Sequence, residues 1–326
     1  MSNAQQMIAL LKSHFQGDDR QFCSVAMQVA AHEARLGHSK IAEEMRELID
    51  KAKTRTAIVE HRVGPVLVTQ PKGELASLLS VHYPDVKLSA MVLPSKLDSR
   101  LRRILREHKQ QKRIRQHGLR PRRKLLLVGP PGSGKTMTAA TLATELRLPL
   151  FTILLEGLIT KFMGETAAKL KLVFDAMSST EGVYLFDEFD ALGSRRTYSN
   201  DVGEIRRVLN SFLQLLEKDD SLGLVVAATN HPDLLDRALF RRFDDVIEYA
   251  LPDKLTAEGI MKNRLAGFET AEVDWIRVLD VAAGLSQADL ARACDEAAKN
   301  AILESTMRIS TEVLVACLEE RKSTNR

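Results

Sequence analysis

The sequence GPPGSGKT, residues 129–136, follows the apolar run KLLLV and precedes a segment with helical spacing. Its GxxxxGK[ST] pattern is that of a phosphate-binding loop, which requires a strand before it and a helix after it. Glycines let backbone N–H groups turn towards a phosphate, Lys135 is expected to reach the β and γ oxygens, and Thr136 to bind Mg²⁺. The predicted phosphate site comprises Gly129, Pro130, Pro131, Gly132, Ser133, Gly134, Lys135, Thr136 and Met137.

A second segment with chemical potential is VYLFDEFD, residues 183–190. Its apolar half predicts a buried strand that delivers Asp187 to the carboxyl end, where the carboxylate is expected to bind Mg²⁺. Glu188 follows directly and is expected to polarise a water that attacks a γ-phosphate, which favours hydrolysis over transfer to another acceptor. Asn230 ends the next strand, AATN, and is expected to orient that water.

Apolar strands alternate with helical segments from Lys124 to about residue 251. This alternation predicts an α/β fold of the P-loop NTPase type, with a parallel sheet and helices on both of its faces. Ligands bind such a sheet at the carboxyl ends of its strands. After Pro252 the strands stop, and four helical segments predict a small separate α-helical domain. Apolar residues three and four apart also predict a helical domain near the N-terminus.

The overall composition indicates a globular protein, since 326 residues with 44% hydrophobic side chains suffice to bury more than one core. Cys23, Cys294 and Cys317 are odd in number and lack the spacing of a zinc site, so a reducing compartment is expected. No window reaches the roughly 18 to 20 apolar residues of a membrane span. We therefore expect a cytoplasmic protein without a membrane span.

Four segments together resemble the single-module AAA ATPases of the AAA+ superfamily: GPPGSGKT, LFDEFDALGSRR, ATNHPDLLDRALFRRFD and GLSQADLARACDEAA. The resemblance implies that ATP and Mg²⁺ bind, that ATP is hydrolysed to ADP and phosphate, and that subunits form a homo-oligomeric ring, usually a hexamer. From about Ser89 onward it implies a large α/β ATPase domain (89–251) and a helical lid (252–326). Before them, apolar spacing predicts an N-terminal helical substrate- or partner-binding domain (1–53), and repeated prolines predict a linker (54–88).

The resemblance assigns roles to the phosphate-loop and strand-end residues. Lys135 and Thr136 match the family's Walker A motif. Asp187 and Glu188 match its Walker B motif, and Asn230 matches sensor 1. The resemblance thus implies that Lys135 and Thr136 hold the nucleotide. It implies that Asp187 and Glu188 hold Mg²⁺ and activate water.

Two further assignments depend on segments after residue 230. Arg241 and Arg242 take the arginine-finger positions, which act in the neighbouring subunit's site. They are adjacent, as in the katanin and spastin branch, which leaves open which of the two inserts. Gly284 and Ala288 are implied to lie where the lid closes over adenosine, although Gln287 stands where the family commonly has Gly.

The stretch TKFMGE, residues 160–165, places an aromatic residue, a Met and a Gly between an apolar strand and a polar helix. From composition alone, packing of this stretch on the core remains an alternative. The resemblance implies instead a pore loop, in which Lys161, Phe162, Met163 and Gly164 grip a polypeptide. The predicted function is therefore ATP-driven remodelling, unfolding or threading of a protein substrate.

Two other functions remain open from the sequence. Twelve of the twenty-five residues from Arg100 to Lys124 are Arg or Lys, a density suited to nucleic-acid phosphates. The segment lacks the interleaved aromatic residues of a single-strand platform, which argues against a nucleic-acid partner. The second alternative is a nucleotide-gated scaffold. No HExxH motif is present, so any proteolysis requires a separate protease partner.

Overall fold

The computed structural model describes Ala26, Val29, Pro71 and residues 73–158, 163–192, 202–235 and 237–324. The chain divides into two compact units, residues 1–68 and 69–326. The predicted N-terminal helical domain lies outside the described residues, except that Ala26 and Val29 are both helical. Within the described ranges, no helix is both long enough and apolar enough to cross a membrane.

A six-stranded sheet forms the centre of the second unit. Its strands are β1 (Leu79–His82), β2 (Lys124–Val128), β3 (Leu150–Ile153), β4 (Val183–Phe186), β5 (Leu224–Thr229) and β6 (Asp245–Glu248). They are arranged in the order β1-β3-β4-β5-β2-β6, with β1 antiparallel to β3 and all other neighbours parallel. Every residue of β2, β4 and β5 is buried, as expected for parallel strands covered on both faces.

Helices interleave with these strands and then follow the last one. The helices are α1 (Ser95–Lys109), α2 (Gln111–Gln116), α3 (Lys135–Leu146), α4 (Leu155–Leu158), α5 (Met163–Ser179), α6 (Val202–Lys218), α7 (Arg237–Phe240), α8 (Lys254–Arg264), α9 (Trp275–Ala282), α10 (Gln287–Leu303) and α11 (Thr311–Thr324). Short 3₁₀ helices cover Gly73–Ser77, Leu88–Ala90, Phe189–Leu192 and Pro232–Leu234. The predicted P-loop NTPase fold, followed by a helical region, is confirmed.

Strand β1 is a correction to the predicted linker over residues 54–88, because Leu79–His82 belongs to the sheet. A four-residue edge strand with alternating polar residues carries a weak strand signal, and proline residues nearby favour a connector reading. Antiparallel pairing with β3 supplies its hydrogen bonds, and Leu79 and Leu88 are both buried. Ordered structure of the large domain therefore starts before residue 89.

The four helices after β6, here called the lid helices α8–α11, have a hydrophobic core of their own. Met261, Leu290 and Leu318 are fully buried in it. The start of α10 is fixed by a capping box, in which the Ser286 hydroxyl accepts from Asp289 N and the Asp289 carboxylate accepts from Ser286 N. This box fixes the residue at which α10 begins.

Candidate functional site

The phosphate-binding loop begins at Gly129, directly after β2. The backbone φ of Gly129 is 154°, and a Cβ there would lie 2.3 Å from the carbonyl oxygen of Tyr249, so only glycine fits. Behind the loop, the Tyr249 hydroxyl and the Thr138 hydroxyl are hydrogen bonded at 2.6 Å. Burial raises the pKa of Tyr249 to about 12, which keeps its phenol protonated. The loop is thus fixed against the end of β6.

Lys135 opens α3, and its ammonium makes three short hydrogen bonds. Its Nζ donates to Gly129 O and Pro130 O, both at 2.8 Å, and to Asn230 Oδ1 at 2.7 Å. Burial lowers the pKa of Lys135, and nearby carboxylates oppose that effect. An ammonium has three donors, so the loop and Asn230 fully satisfy this one.

Asp190 is a buried carboxylate that holds the end of β5 in place. Its Oδ1 accepts from the Thr229 hydroxyl at 3.0 Å and from Asn230 N at 3.3 Å. Its negative charge, together with that of Asp187, raises the pKa of Lys135 against the effect of burial. Asp190 therefore holds the backbone of Asn230 through a hydrogen bond and favours the charged form of Lys135 through its negative charge.

Thr136 and the strand-end acids meet on the other side of Lys135. The Thr136 hydroxyl donates to Asp187 Oδ2 at 2.7 Å, and Glu188 N donates to Asp187 Oδ1 at 2.9 Å. A hydroxyl and a carboxylate oxygen at one point are the hard ligands that fit Mg²⁺. Glu188 has a φ of 48°, an uncommon conformation for a residue with a Cβ. Within the described part of the chain, its exposed carboxylate has no hydrogen-bond partner.

These residues line one end of a cavity of about 690 Å³, a volume within the range of small-molecule sites. The polar end brings together Lys135, Thr136, Asp187, Glu188 and Asn230. The other end is largely apolar and is built from the segment before α1, from α8 and from α10. The remaining lining residues are Ala90, Met91, Val92, Pro131, Gly132, Gly134, Met137, Ile260, Asn263, Arg264, Gln287, Ala288 and Ala291.

The start of α10 contacts the phosphate-binding loop directly. Ala288 N donates to Gly132 O at 3.0 Å. Gly132 has a φ of 72°, and a Cβ there would lie 2.5 Å from the Ser286 hydroxyl oxygen. A Cβ on Gly134 would lie 3.1 Å from Gln287 Oε1. The loop and the lid helices are therefore in van der Waals and hydrogen-bond contact across the cavity.

Six residues predicted to contact nucleotide or phosphate are not among those that line this cavity: Gly129, Pro130, Ser133, Arg241, Arg242 and Gly284. Arg241 and Arg242 follow α7 as exposed side chains, and the Arg242 guanidinium forms an ion pair with Glu217 on α6. Gly284 has a φ of 84° and lies in the turn before α10, so it shapes the lid rather than lining the cavity. Ala288, predicted with it, does line the cavity.

The predicted pore loop lies at the edge of a gap in the described residues. Lys161 and Phe162 fall outside those residues. The backbone of Met163 and Gly164 forms the first turn of α5. The pore-loop assignment stays a prediction.

Several lining residues were not predicted from the sequence. Asn263 on α8 donates from Nδ2 to Ala90 O at 3.3 Å, which joins the two sides of the apolar end. Arg264 beside it is paired with Asp295 at 2.5 and 2.8 Å. Neither segment carries a local motif, because their proximity depends on how the lid helices pack. The sequence signal for this end of the cavity is the apolar run at residues 90–92, shortly before α1.

Residues 125–251 match the family described as ATPase family associated with various cellular activities (AAA). The chain is 33% identical to the uncharacterized AAA family ATPase y4kL of Sinorhizobium fredii, over 95% of this chain and 92% of that protein. It is 36% identical to the 26S proteasome regulatory subunit 10B homolog A of Arabidopsis thaliana over 57% of this chain, and spans 48% of that relative. Among solved structures, the FIGL-1 AAA domain superposes with a TM-score of 0.61 at 25% identity, covering 79% of this chain and 91% of that one.

Proposed function

We propose that this chain, which belongs to the AAA family of ATPases, uses ATP hydrolysis to remodel or unfold a protein substrate as part of a ring of its own copies. The observation that carries the proposal is the contact of α10 with the phosphate-binding loop across the cavity. A nucleotide bound there touches both the large domain and the lid helices. Its hydrolysis can therefore change the angle between them, which is a hinge movement.

In the proposed site, Lys135 leaves the carbonyl oxygens of Gly129 and Pro130 and binds the β- and γ-phosphates of ATP. Lys135 is also bonded to Asn230, so ATP binding frees that amide to orient a water. Lys135 thus links phosphate binding to the arrangement of the catalytic amide.

Thr136 and Asp187 would hold Mg²⁺ in this scheme, since their oxygens already meet at 2.7 Å. Bound there, the ion would neutralise charge on the phosphate oxygens. Glu188 is the proposed general base, because its carboxylate is exposed and the residue lines the cavity. The hydrogen bond from Glu188 N to Asp187 Oδ1 holds its backbone beside the proposed Mg²⁺ ligand. The unusual φ of Glu188 supports a functional constraint at this position.

We assign the main arginine finger to Arg241. Arg242 is held by Glu217, whereas Arg241 is exposed and has no acidic partner in the described ranges. Neither residue lines its own subunit's cavity, which supports action on a neighbouring site. A guanidinium inserted from outside stabilises the charge that develops on the transferred phosphate.

A protein substrate is favoured by the relatives and by the sequence at residues 161–164. One relative is a homolog of a 26S proteasome regulatory subunit. The Phe162-Met163 pair would supply an apolar grip on an extended polypeptide. A partner protease or effector would act downstream of that movement.

A nucleic-acid substrate is less well supported by the basic segment. Arg100 and Arg122 are paired with Asp245, and Arg123 is buried in an ion pair with Asp219. These ion pairs hold the segment against the large domain and remove charge from its surface. Within residues 100–124, the exposed cations without an acidic partner in the described ranges are Arg106, Lys109, Lys112, Arg113 and Arg115.

The test is the ATPase rate of the wild type and of Phe162→Ala, measured alone, with an unfolded protein and with DNA. We expect unfolded protein to stimulate the wild type several-fold and Phe162→Ala to lose the stimulation while keeping its basal rate. Tyr83→Ala is the matched control, because it also removes an aromatic ring, one that is half-exposed and follows the edge strand β1. Stimulation by DNA that both variants retain would reject a protein substrate.

A further inference from the structure

We infer that Gln287 binds the α-phosphate of ATP and ADP from the lid side of the cavity. The inference rests on the proposed function only through its first step, nucleotide binding. Gln287 is the first residue of α10, and the box formed by Ser286 and Asp289 fixes its position.

The side chain of Gln287 lies against the phosphate-binding loop. A Cβ added to Gly134 would lie 3.1 Å from Gln287 Oε1 and 4.0 Å from Gln287 Cδ. It would lie 3.9 Å from the Met91 methyl group. Gln287 also lines both the 690 Å³ cavity and a neighbouring cavity of about 230 Å³. The carboxamide therefore stands over a loop whose backbone N–H groups cradle phosphate.

The Gln287 carboxamide has a hydrogen-bonding capacity that the protein does not use. Among the described residues it has no hydrogen-bond partner, although the residue is half-buried. A polar group withdrawn from water without a partner costs free energy, which a ligand recovers by bonding to it. A carboxamide NH₂ donates two hydrogen bonds, and rotation about χ3 presents that end to a phosphate oxygen.

The position of Gln287 along the cavity identifies the phosphate. The γ-phosphate end is marked by Glu188 and Asn230, which lie on the strand-end side of the loop. Gln287 is instead next to Gly134 and Met91, where the polar end meets the apolar end. The phosphate nearest to the nucleoside is therefore the one within reach.

ATP and ADP share the α-phosphate, so the contact stabilises substrate and product equally. Uniform binding of this kind lowers KM and leaves kcat unchanged. Gln287 is thus expected to set nucleotide affinity and to have little effect on the hydrolytic step.

The test compares Gln287→Gly and Gln287→Glu with Asn300→Asp, an exposed amide-to-acid change on the same helix. Isothermal titration gives Kd for ADP, 2′-deoxy-ADP and 3′-deoxy-ADP, and steady-state assays give KM and kcat for ATP. We expect Gln287→Gly to raise Kd and KM about tenfold, the loss of one hydrogen bond to a charged group. Gln287→Glu should raise them further through charge repulsion, with kcat within about twofold of wild type.

The same factor should apply to all three diphosphates, because the contact is to phosphate. A factor that disappears with either deoxy nucleotide would place the contact on a ribose hydroxyl and overturn the inference. Unchanged Kd in both Gln287 variants would also overturn it. Gln287→Glu keeps the side-chain volume, so it still tests the contact if the glycine variant fails to fold. If wild type itself fails to bind ADP, the proposed function fails instead.

Discussion

Removal of the Asp190 carboxylate should destabilise the protein and displace Asn230, which lies at the end of β5. Asp190 Oδ1 accepts both the Thr229 hydroxyl at 3.0 Å and Asn230 N at 3.3 Å, and Asp190 is buried. Asp190→Ala leaves two donors unsatisfied, and hydrogen bonds to a charged group are worth about 1.5–3 kcal/mol each. Partial rehydration reduces the sum, so we expect a loss of about 3 kcal/mol in the free energy of unfolding, or about 6–12 °C in Tm.

The kinetic effect should exceed that of a simple loss of stability. Asn230 is the proposed water-orienting amide, and displacement of a catalytic group by about 1 Å costs about 100-fold in rate. Asp190→Ala is therefore expected to reduce kcat about 100-fold at a temperature where the variant is folded. Asp190→Asn retains an acceptor oxygen and should lose less than about tenfold.

The pH profile separates the charge of Asp190 from its geometry. Burial lowers the pKa of Lys135, and Asp190 acts in the opposite direction. Asp190→Asn should lower that pKa further, so the alkaline limb of kcat/KM should move to lower pH. Asp175→Asn, on the exposed surface of α5, is the control and should leave the limb unchanged. Wild-type kcat and an unmoved alkaline limb in the Asp190 variants would refute the coupling.

Three other substitutions test the remaining parts of the site. Glu188→Gln should retain ATP binding and reduce turnover at least about 100-fold, since it removes the proposed base; near-normal turnover measured by phosphate release would exclude that role. An Arg241→Ala, Arg242→Ala variant mixed with Lys135→Ala should regain some ATPase activity, because one intact interface forms between them; no recovery at any mixing ratio would count against action between subunits. Gly132→Ala should weaken ADP binding and lower Tm, because its φ of 72° is unfavourable for alanine and its Cβ would clash with the start of α10. Unchanged ADP affinity and Tm would show that the loop and lid helices separate without cost.

The chemical end of the site could be predicted because its residues lie in contiguous motifs at strand ends. Lys135, Thr136, Asp187 and Asn230 follow apolar strands, and the parallel sheet brings those strand ends together. Their direct hydrogen bonds, such as Lys135 Nζ to Asn230 Oδ1, depend on side-chain geometry that no spacing specifies. Asp190 lies in the same acidic run, yet its role appears only when the end of β5 is seen beside it.

The apolar end of the cavity was less predictable, because it is assembled from segments that are distant in the sequence. Val92, Ile260 and Gln287 come together through the packing of the lid helices on the large domain. The role predicted for Gly284 stays a prediction, since Gly284 is not among the residues that line the cavity. A glycine beside a helix start can either approach a ligand or turn the chain, and here its positive φ serves the turn.

The edge strand β1 has a practical consequence for handling the ATPase core. Its residues, Leu79–His82, cover the backbone N–H and C=O groups along one side of β3. A chain shortened to begin at residue 89 would leave that side open, and open strand edges pair with other chains. Such a fragment should aggregate through β3, whereas one that begins at or before Gly73 keeps the protective strand and should remain dispersed.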